Sequence, residues 1–232
     1  SVGVTMKPII IRTEGVNRKF PSGREVVHAL KDVTISIESG TLTILRGRSG
    51  SGKTTLINIL GALDKPNTGK VYFNGNEITG MPEPRRDVLR QKEIGFVFQS
   101  IALISMMSAY ENVEFALRIA GYNASERKQR AEECLEFLGL HKRMHHRPHE
   151  LSGGEQQRVA IARAISHKPR VVFADEPTAE LDTHTGLQVV KVFKSLVERE
   201  GLTIVMSTHD PSMMDIADCV FTLEDGEIID EQ

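Results

Sequence analysis

Hydrophobic residues alternate with polar ones near the start of the chain and later occur in short continuous runs. The alternation covers residues 9–16 and returns at 33–37. This period of two predicts half-buried strands of an antiparallel sheet. The pairs Asn74-Gly75 and Asp225-Gly226 are typical of the tight turns that join neighbouring strands. The first part of the chain is therefore expected to contribute an antiparallel β piece.

Short apolar runs of the kind found in fully buried strands alternate with helical stretches through the rest of the chain. The runs cover residues 42–45, 94–98, 171–174 and 203–206. This order predicts a parallel sheet covered on both faces. Residues 108–147 instead predict consecutive helices, one of them starting at Asn123 and closing near Gly139. The expected fold class is α/β, with an all-helical insertion that interrupts the sheet.

The amino-acid composition restricts the class of protein but does not indicate which reaction or ligand is involved. The 232 residues are 40% hydrophobic and 26% charged, which suits one large soluble domain or two lobes around one core. Lys and Arg total 29 against 31 for Asp and Glu, so no bulk positive field attracts nucleic acid. No apolar run reaches the roughly 18 residues of a membrane span, and no signal peptide is expected. Cys134 and Cys219 lack CxxC spacing and are predicted to be buried thiols in a reducing compartment.

A glycine-rich segment at residues 47–54 matches the pattern GxxxxGK[ST] and lies between the predicted strand 42–45 and a predicted helix 55–63. Its glycines let backbone N–H groups point at phosphate oxygens, and the helix N-terminus adds positive potential. Lys53 is expected to reach the β- and γ-phosphates, and the Thr54 hydroxyl to ligate Mg²⁺. The residues predicted to contact nucleotide here are Gly47, Arg48, Ser49, Gly50, Ser51, Gly52, Lys53, Thr54 and Thr55.

Two consecutive acids follow the apolar run 171–174. Ligands of open α/β sheets bind at the carboxyl ends of the strands, and Asp175 is expected to lie at such an end. Asp175 is expected to hold Mg²⁺ directly or through water. Glu176, one residue later, is expected to orient or deprotonate the attacking water.

A second glycine-rich helix start follows at Ser152-Gly153-Gly154-Glu155. One interpretation is a capping box, in which Ser152 and Glu155 satisfy each other's backbone N–H groups. The other is a second anion site at a helix N-terminus. The two interpretations are compatible.

The complete string LSGGEQQR, which comes shortly before Asp175-Glu176, resembles the signature of the ATP-binding cassette (ABC) family. The resemblance covers residues 20–209. It implies one ABC ATPase domain over residues 1–232, with a RecA-like P-loop NTPase core and β subdomain at about 6–98 and 160–232. The helical subdomain that carries the signature is implied at about 99–159.

Further roles follow from the resemblance alone. Phe20 matches the aromatic residue that stacks on adenine, and Asp182 lies in the loop that crosses to a partner subunit. Gln99 matches the glutamine that touches Mg²⁺ or the attacking water, and His209 the histidine that contacts the γ-phosphate. The implied catalytic residues are Lys53, Gln99, Glu176 and His209. The implied metal ligands are Thr54, Gln99 and Asp175, the nucleotide is ATP, and Ser152, Gly153, Gly154 and Glu155 complete the nucleotide site.

The resemblance also implies partners. Two copies are expected to dimerise head to tail around ATP, and an integral membrane permease is expected to hold the ATPase at the cytoplasmic face of the membrane. Segments 89–99 and 109–113 look like those of lipoprotein-releasing, macrolide and antimicrobial-peptide transport ATPases. Segment 101–108, where the family meets its permease, lacks the usual Asn and Pro, and Glu180 replaces a small or amide residue. These two departures affect what the resemblance implies about the partner permease and the transported cargo.

Alternative functions remain open at this point. A membrane-coupled regulator of cell division or a peptide sensor would share the same ATPase. A binding module without hydrolysis is disfavoured because Lys53, Asp175, Glu176 and His209 are all present. The histidines between 141 and 149 suggest a zinc site, but Pro148 interrupts the helix it would need, so no structural zinc is expected and the segment is interpreted as solvated surface. Nucleic acid is not an expected partner.

Overall fold

The computed structural model describes residues 7–232. It contains a mostly parallel sheet, an antiparallel sheet and a group of helices beside them. The predicted start of the core at about residue 6 lies outside the described residues. The strands are β1 (Ile9–Ser22), β2 (Glu25–Val33), β3 (Ser36–Glu38), β4 (Leu42–Arg46), β5 (Thr68–Phe73), β6 (Asn76–Glu77), β7 (Ile94–Val97), β8 (Val171–Asp175), β9 (Thr203–Thr208), β10 (Cys219–Glu224) and β11 (Glu227–Glu231). The helices are α1 (Lys53–Leu60), α2 (Glu83–Glu93), α3 (Ala109–Ile119), α4 (Ala124–Phe137), α5 (Gly153–Ile165) and α6 (Thr183–Glu200).

The core sheet has the strand order β11-β10-β4-β9-β8-β7, and the strands from β10 to β7 run parallel. Side chains along β8 alternate between two apolar clusters: Val172 and Ala174 face the cluster that includes the inner sides of α5 and α6, while Phe173 faces the cluster that includes α1. Burial on both faces explains the continuous apolar runs. The predicted parallel sheet is confirmed, and its carboxyl edge brings Arg46, Asp175 and Thr208 to one side.

The antiparallel sheet has the order β2-β1-β5-β6, with β3 also paired to β1. The Asn74-Gly75 turn joins β5 to β6, and Asp225-Gly226 joins β10 to β11. All four turn residues have positive φ angles, as tight hairpin turns require. The predicted antiparallel piece and both turns are confirmed.

The helices α3, α4 and α5 lie between β7 and β8 in the chain and pack on one another. Asn123 begins α4 as predicted, because its side chain and that of Glu126 form a reciprocal capping box. This group approaches the core sheet closely at Gly95 in β7. A Cβ atom added there would lie 2.2 Å from the carbonyl oxygen of Ala164 in α5, so only glycine allows the contact.

Two sequence expectations differ from the structure, and one helix has no counterpart among the expectations. The helix after the phosphate loop runs over Lys53–Leu60 rather than 55–63, because it begins directly after Gly52 and ends at Gly61. Helix α2 was not predicted, since its sequence is almost entirely polar. Cys134 is buried, but Cys219, at the start of β10, is only partly buried, so the prediction of two buried thiols is wrong for Cys219.

No helix within residues 7–232 combines the length and the apolar character needed to cross a membrane.

Candidate active site

The glycine-rich loop connects β4 to α1 and forms one wall of a cleft of about 700 Å³. A Cβ atom at Gly47 would lie 2.7 Å from the carbonyl oxygen of Leu223, and Gly52, at φ 111°, packs against the carbonyl oxygen of Ala29. The loop can therefore follow this path only with glycine at both positions. The other walls are formed by His209, Pro211 and the hairpin of β10 and β11. Arg48, Ser49 and Gly50 are exposed on this cleft.

Helix α1 begins at the loop without a side-chain cap. Gly52 is its N-cap residue and supplies no side-chain hydrogen bond, and the first intrahelical bond runs from the Leu56 N–H to the Gly52 carbonyl. The N–H groups of the first turn, which includes Thr54 and the partly buried Thr55, are therefore available to a ligand. Together with the helix dipole they form the anion site that the motif predicts.

Lys53 is almost fully buried, with 5% of its side chain exposed, and lies folded back over the loop. Its ammonium group donates to the carbonyl oxygens of Gly47 and Arg48 and lies 3.3 Å from Glu176 Oε1. A buried ammonium group needs such partners because its desolvation is otherwise costly. The geometry puts the lysine charge between the loop and the acid that follows β8.

Asp175 ends β8 and receives two hydroxyl groups. Thr54 Oγ1 donates to Asp175 Oδ2 at 2.9 Å and Ser207 Oγ donates to Oδ1 at 2.7 Å. Carboxylate and hydroxyl oxygens are the donor atoms that Mg²⁺ prefers, so the convergence of Thr54 and Asp175 fits a magnesium ion. Gln99 is exposed two residues after β7, and because β7 pairs with β8, it lies at the same carboxyl edge of the sheet.

Glu176 has an unusual backbone and two charged or chargeable neighbours. Its φ angle is 46°, in the left-handed region that residues with a Cβ atom seldom adopt. Its carboxylate contacts Lys53 through Oε1 and lies 3.0 Å from His209 Nδ1 through Oε2. The His209 side chain is 62% exposed and lines the cleft, whereas the Glu176 side chain is 14% exposed. The structure thus brings together Lys53, Asp175, Glu176 and His209.

The signature forms the start of α5. The Ser152 hydroxyl accepts from the Glu155 N–H at 3.2 Å, and Glu155 Oε1 accepts from the Ser152 N–H at 3.0 Å, so the predicted capping box is confirmed. Burial tends to raise the pKa of Glu155, but hydrogen bonds from Ser152 and the charge of Arg143 lower it below its usual value. Ser152 is not among the residues that line the loop cleft.

The start of α5 packs against the start of α6. A Cβ atom at Gly154 would lie 2.6 Å from Thr185 Cγ2, and one at Gly153 would lie 3.3 Å from a methyl carbon of Leu181. Asp182 is the N-cap of α6, where its carboxylate accepts from the Thr185 N–H at 2.8 Å. Asp182 therefore lies beside the signature of its own chain.

Helix α5 also contacts two loops of the site, through residues that sequence reasoning missed. The Gln157 amide donates to the carbonyl oxygen of Pro177, directly after Glu176, at 2.6 Å. Near the other end of the helix, Arg163 donates to the carbonyl oxygen of Ala102, in the loop that follows Gln99, at 2.8 Å. Gln157 lies within the LSGGEQQR string and Arg163 lies outside any motif, and in neither case does the local sequence indicate the loop that the side chain contacts.

Phe20 lies on β1 and is partly buried, so it is not a core residue. The Arg18 guanidinium lies over its ring, 4.1 Å from the centroid, and is itself held by Asp64 at 2.7 Å. Arg18 therefore covers one face of the ring. Phe20 does not line the loop cleft.

The histidine-containing segment is more than the solvated surface that was predicted. His141, His145 and His149 are exposed, but Met144 is buried. The segment also caps α3, since the carbonyl oxygens of Met144 and His146 accept from the first N–H groups of that helix. Within residues 7–232, no group of three His, Cys, Asp or Glu side chains is placed to hold a metal ion.

Comparison with known proteins places this geometry in a family. The family model described as ABC transporter matches residues 30–179. An uncharacterised ABC transporter ATP-binding protein of Thermotoga maritima is 48% identical over 90% of this chain and 89% of its own. A macrolide export ATP-binding/permease protein, MacB, of Bartonella henselae is 43% identical over 95% of this chain and 33% of its own. The dimeric, post-hydrolysis structure of the cassette MJ0796, bound to ADP and Pi, superimposes with a TM-score of 0.87 at 38% identity, covering 96% of this chain and 98% of that one.

The match extends over more than half of the chain, and the relatives share more than a third of its residues. The arrangement of the glycine loop, the two acids and the signature is thereby explained by common ancestry. The chain belongs to the ABC transporter family, in which it is an ATP-binding and ATP-hydrolysing subunit.

Proposed function

We propose that two copies of this chain bind ATP between them, each supplying the glycine loop for one nucleotide and the Ser152 helix start for the other. One observation carries this proposal: the chain has two glycine-rich helix starts, and only the first lines the loop cleft. Ser152 and Gly153 are exposed, so this end of α5 can face another molecule's nucleotide, while Gly154 is buried against α6. A twofold axis would complete both sites at once.

The dimeric structures of MJ0796, including the one bound to ADP and Pi, support this arrangement. They describe that cassette, whose backbone is closely similar to this one. ATP would hold the two copies together, and loss of the γ-phosphate would let them separate. The resulting cycle of closure and opening is what we propose to drive a partner.

The site residues have the following proposed chemistry. The loop 47–52 and the first turn of α1 bind the phosphates, and Lys53 exchanges its carbonyl partners for phosphate oxygens. Glu176 takes the proton of the attacking water and His209 contacts the γ-phosphate. Thr54, Asp175 and Gln99 would hold Mg²⁺, which neutralises charge on the phosphates when bound. Phe20 is the proposed adenine contact, and Asp182 the proposed contact to the second copy.

Substitution of Ser152 by arginine tests the shared site. In a Glu176→Gln background, where hydrolysis is blocked, we expect Ser152→Arg to prevent ATP-dependent dimerisation because a bulky cation replaces the small cap that must approach the other copy. ATP binding to the monomer should be retained, since Ser152 does not line the loop cleft. Light scattering with and without MgATP measures the first property, and binding of a fluorescent ATP analogue measures the second.

Ser125 offers a matched control. It is an exposed serine in the first turn of α4, within the same helical part of the chain. Ser125→Arg in the same background should dimerise with ATP like the parent. If Ser152→Arg dimerises as readily as Ser125→Arg, the shared site is wrong.

We further propose that a membrane permease docks on the side of the helical part where β7 and α3 meet. A groove of about 240 Å³ lies there, with Phe96, Ile119 and Arg163 among its lining residues. Exposed apolar side chains lie at both ends of α3: Ile119, at its end, lines the groove and is 62% exposed, and Met106, in the loop before it, is 80% exposed. Exposed apolar surface can mark a protein contact. The MacB relative, named as a combined ATP-binding/permease protein, supports a membrane partner, which would place this chain at the cytoplasmic face of the membrane.

Cysteine cross-linking tests the docking side. We expect Met106→Cys and Ile119→Cys to cross-link to the permease in membranes from cells that express both proteins. Val26→Cys, at a residue 65% exposed on the antiparallel sheet, is the control and should not cross-link. Background from native thiols should be low, because burial raises the pKa of Cys134 to about 11 and also raises that of Cys219. Cross-links from Val26→Cys alone would place the contact on another face.

A further inference from the structure

A fully buried serine joins the two acids at the carboxyl edge of the sheet. Ser207 lies in β9 with none of its surface exposed, and the strand register pairs it with Asp175 in β8. Its hydroxyl donates to Asp175 Oδ1 at 2.7 Å and accepts from the backbone N–H of Glu176 at 2.9 Å. A hydroxyl has one hydrogen to donate and lone pairs to accept, so both bonds can exist together. One side chain thus contacts two consecutive residues of the site.

The bond to Glu176 bears on the conformation of its backbone. A φ angle of 46° is unfavourable for a residue with a Cβ atom and persists only where its surroundings hold it. The Ser207 oxygen binds the N–H of that residue. This backbone conformation directs the Glu176 carboxylate towards Lys53 and His209.

The bond to Asp175 bears on the orientation of its carboxylate. Ser207 donates to Oδ1 at 2.7 Å, while Thr54 Oγ1 lies 2.9 Å from Oδ2 and 3.2 Å from Oδ1. Rotation of the carboxylate away from Thr54 would break the bond to Ser207, because the serine is fixed in a buried strand. The two hydroxyl groups therefore define the rotation of the carboxylate from both sides.

We infer that Ser207 is a positioning residue for ATP hydrolysis: its hydroxyl holds the Glu176 backbone in its left-handed conformation and fixes the rotation of Asp175. This inference rests on the roles proposed above for Asp175 and Glu176. Ser207 acts through these residues and touches neither nucleotide nor water in the proposed chemistry.

A pair of variants isolates the hydroxyl. Ser207→Thr and Ser207→Val place side chains of nearly the same shape in the buried site, but only threonine keeps a hydroxyl. We expect kcat of Ser207→Val to be about tenfold or more below that of Ser207→Thr, with KM for ATP changed by less than about threefold, because a buried hydrogen-bond network is lost while the loop is kept. Amide exchange of Glu176, followed by NMR in the nucleotide-free protein, should be about tenfold faster in the valine variant.

Thr203→Val is the matched control. Thr203 is a buried residue at the opposite end of the same strand, where its hydroxyl accepts from the Gly40 N–H at 2.8 Å. This variant should leave kcat and the exchange of Glu176 unchanged. Should both Ser207 variants unfold, Ser207→Ala, which adds no atoms, is compared with the parent in the same two measurements.

Equal kcat and equal Glu176 exchange in the threonine and valine variants would overturn the inference, as would slow turnover without faster exchange. Failure of the role proposed for Glu176 would give a different result from failure of this inference. If Glu176 does not activate water, Glu176→Gln keeps full turnover while Ser207 is intact, whatever the Ser207 variants do.

Discussion

Glu176→Gln is expected to lower ATP turnover about a thousandfold while leaving ATP binding intact, in the range typical for loss of a general base. Glutamine has nearly the same size, but it cannot take the proton of the attacking water. The loop and Lys53 that bind the phosphates are unchanged. ATP-bound dimers should therefore accumulate, which phosphate release and light scattering with MgATP would measure together.

A second acid in the same loop provides the control. Glu180 lies four residues later and is exposed. Glu180→Gln removes the same charge without touching Lys53 or His209 and should keep turnover within about twofold, as surface substitutions generally do. Undiminished turnover in Glu176→Gln would remove that residue from its proposed role.

Lys53→Met is expected to weaken ATP binding about a hundredfold or more, because charge-assisted hydrogen bonds to phosphate are lost from a buried position. The side chain is 5% exposed, so water cannot easily replace the ammonium group. Glu176 would keep its contact with His209. Titration with a fluorescent ATP analogue measures the affinity, and chemical denaturation shows whether the fold is retained.

Arg48→Met separates the lysine's role from the effect of removing any cation from the loop. Arg48 is exposed, and its proposed contribution to phosphate binding comes from the loop backbone. Its substitution should change the affinity by less than about fivefold, since exposed charges are screened by solvent. Equal losses of ATP affinity in Lys53→Met and Arg48→Met would mean that only the net charge of the loop, and not the position of Lys53, determines ATP binding.

The parts of the fold that were predictable are those encoded by neighbouring residues. Buried strands appear as apolar runs, and turns such as Asn74-Gly75 contain residues that tolerate positive φ. Helix α2 was not predictable in this way. Its buried Arg86 donates to the carbonyl oxygens of Ile78, Ala62 and Asp64, which come from an earlier part of the chain. A polar sequence therefore packs against the core through contacts that no local pattern shows.

The same distinction applies to the site. Asp175, Glu176 and His209 follow recognisable strands and match motifs, so their positions were predictable from the sequence and the family resemblance. Ser207 was not singled out, although it lies two residues before His209. Its importance comes from the register between β8 and β9, which places its hydroxyl between two residues of another strand. The contact of Lys53 with Glu176 likewise arises only once the sheet and loop are folded.

Helix α5 contacts two loops at once, and this has a consequence for timing. Gln157 holds the segment after Glu176, and Arg163 holds the segment after Gln99. A displacement of Ser152 by an approaching subunit would be transmitted along helix α5 to the segment after Glu176 and to the segment after Gln99. In the proposed cycle, the loop after Glu176 and the groove lined by Arg163 would then shift together, so that ATP hydrolysis and movement of the proposed permease would occur at the same time.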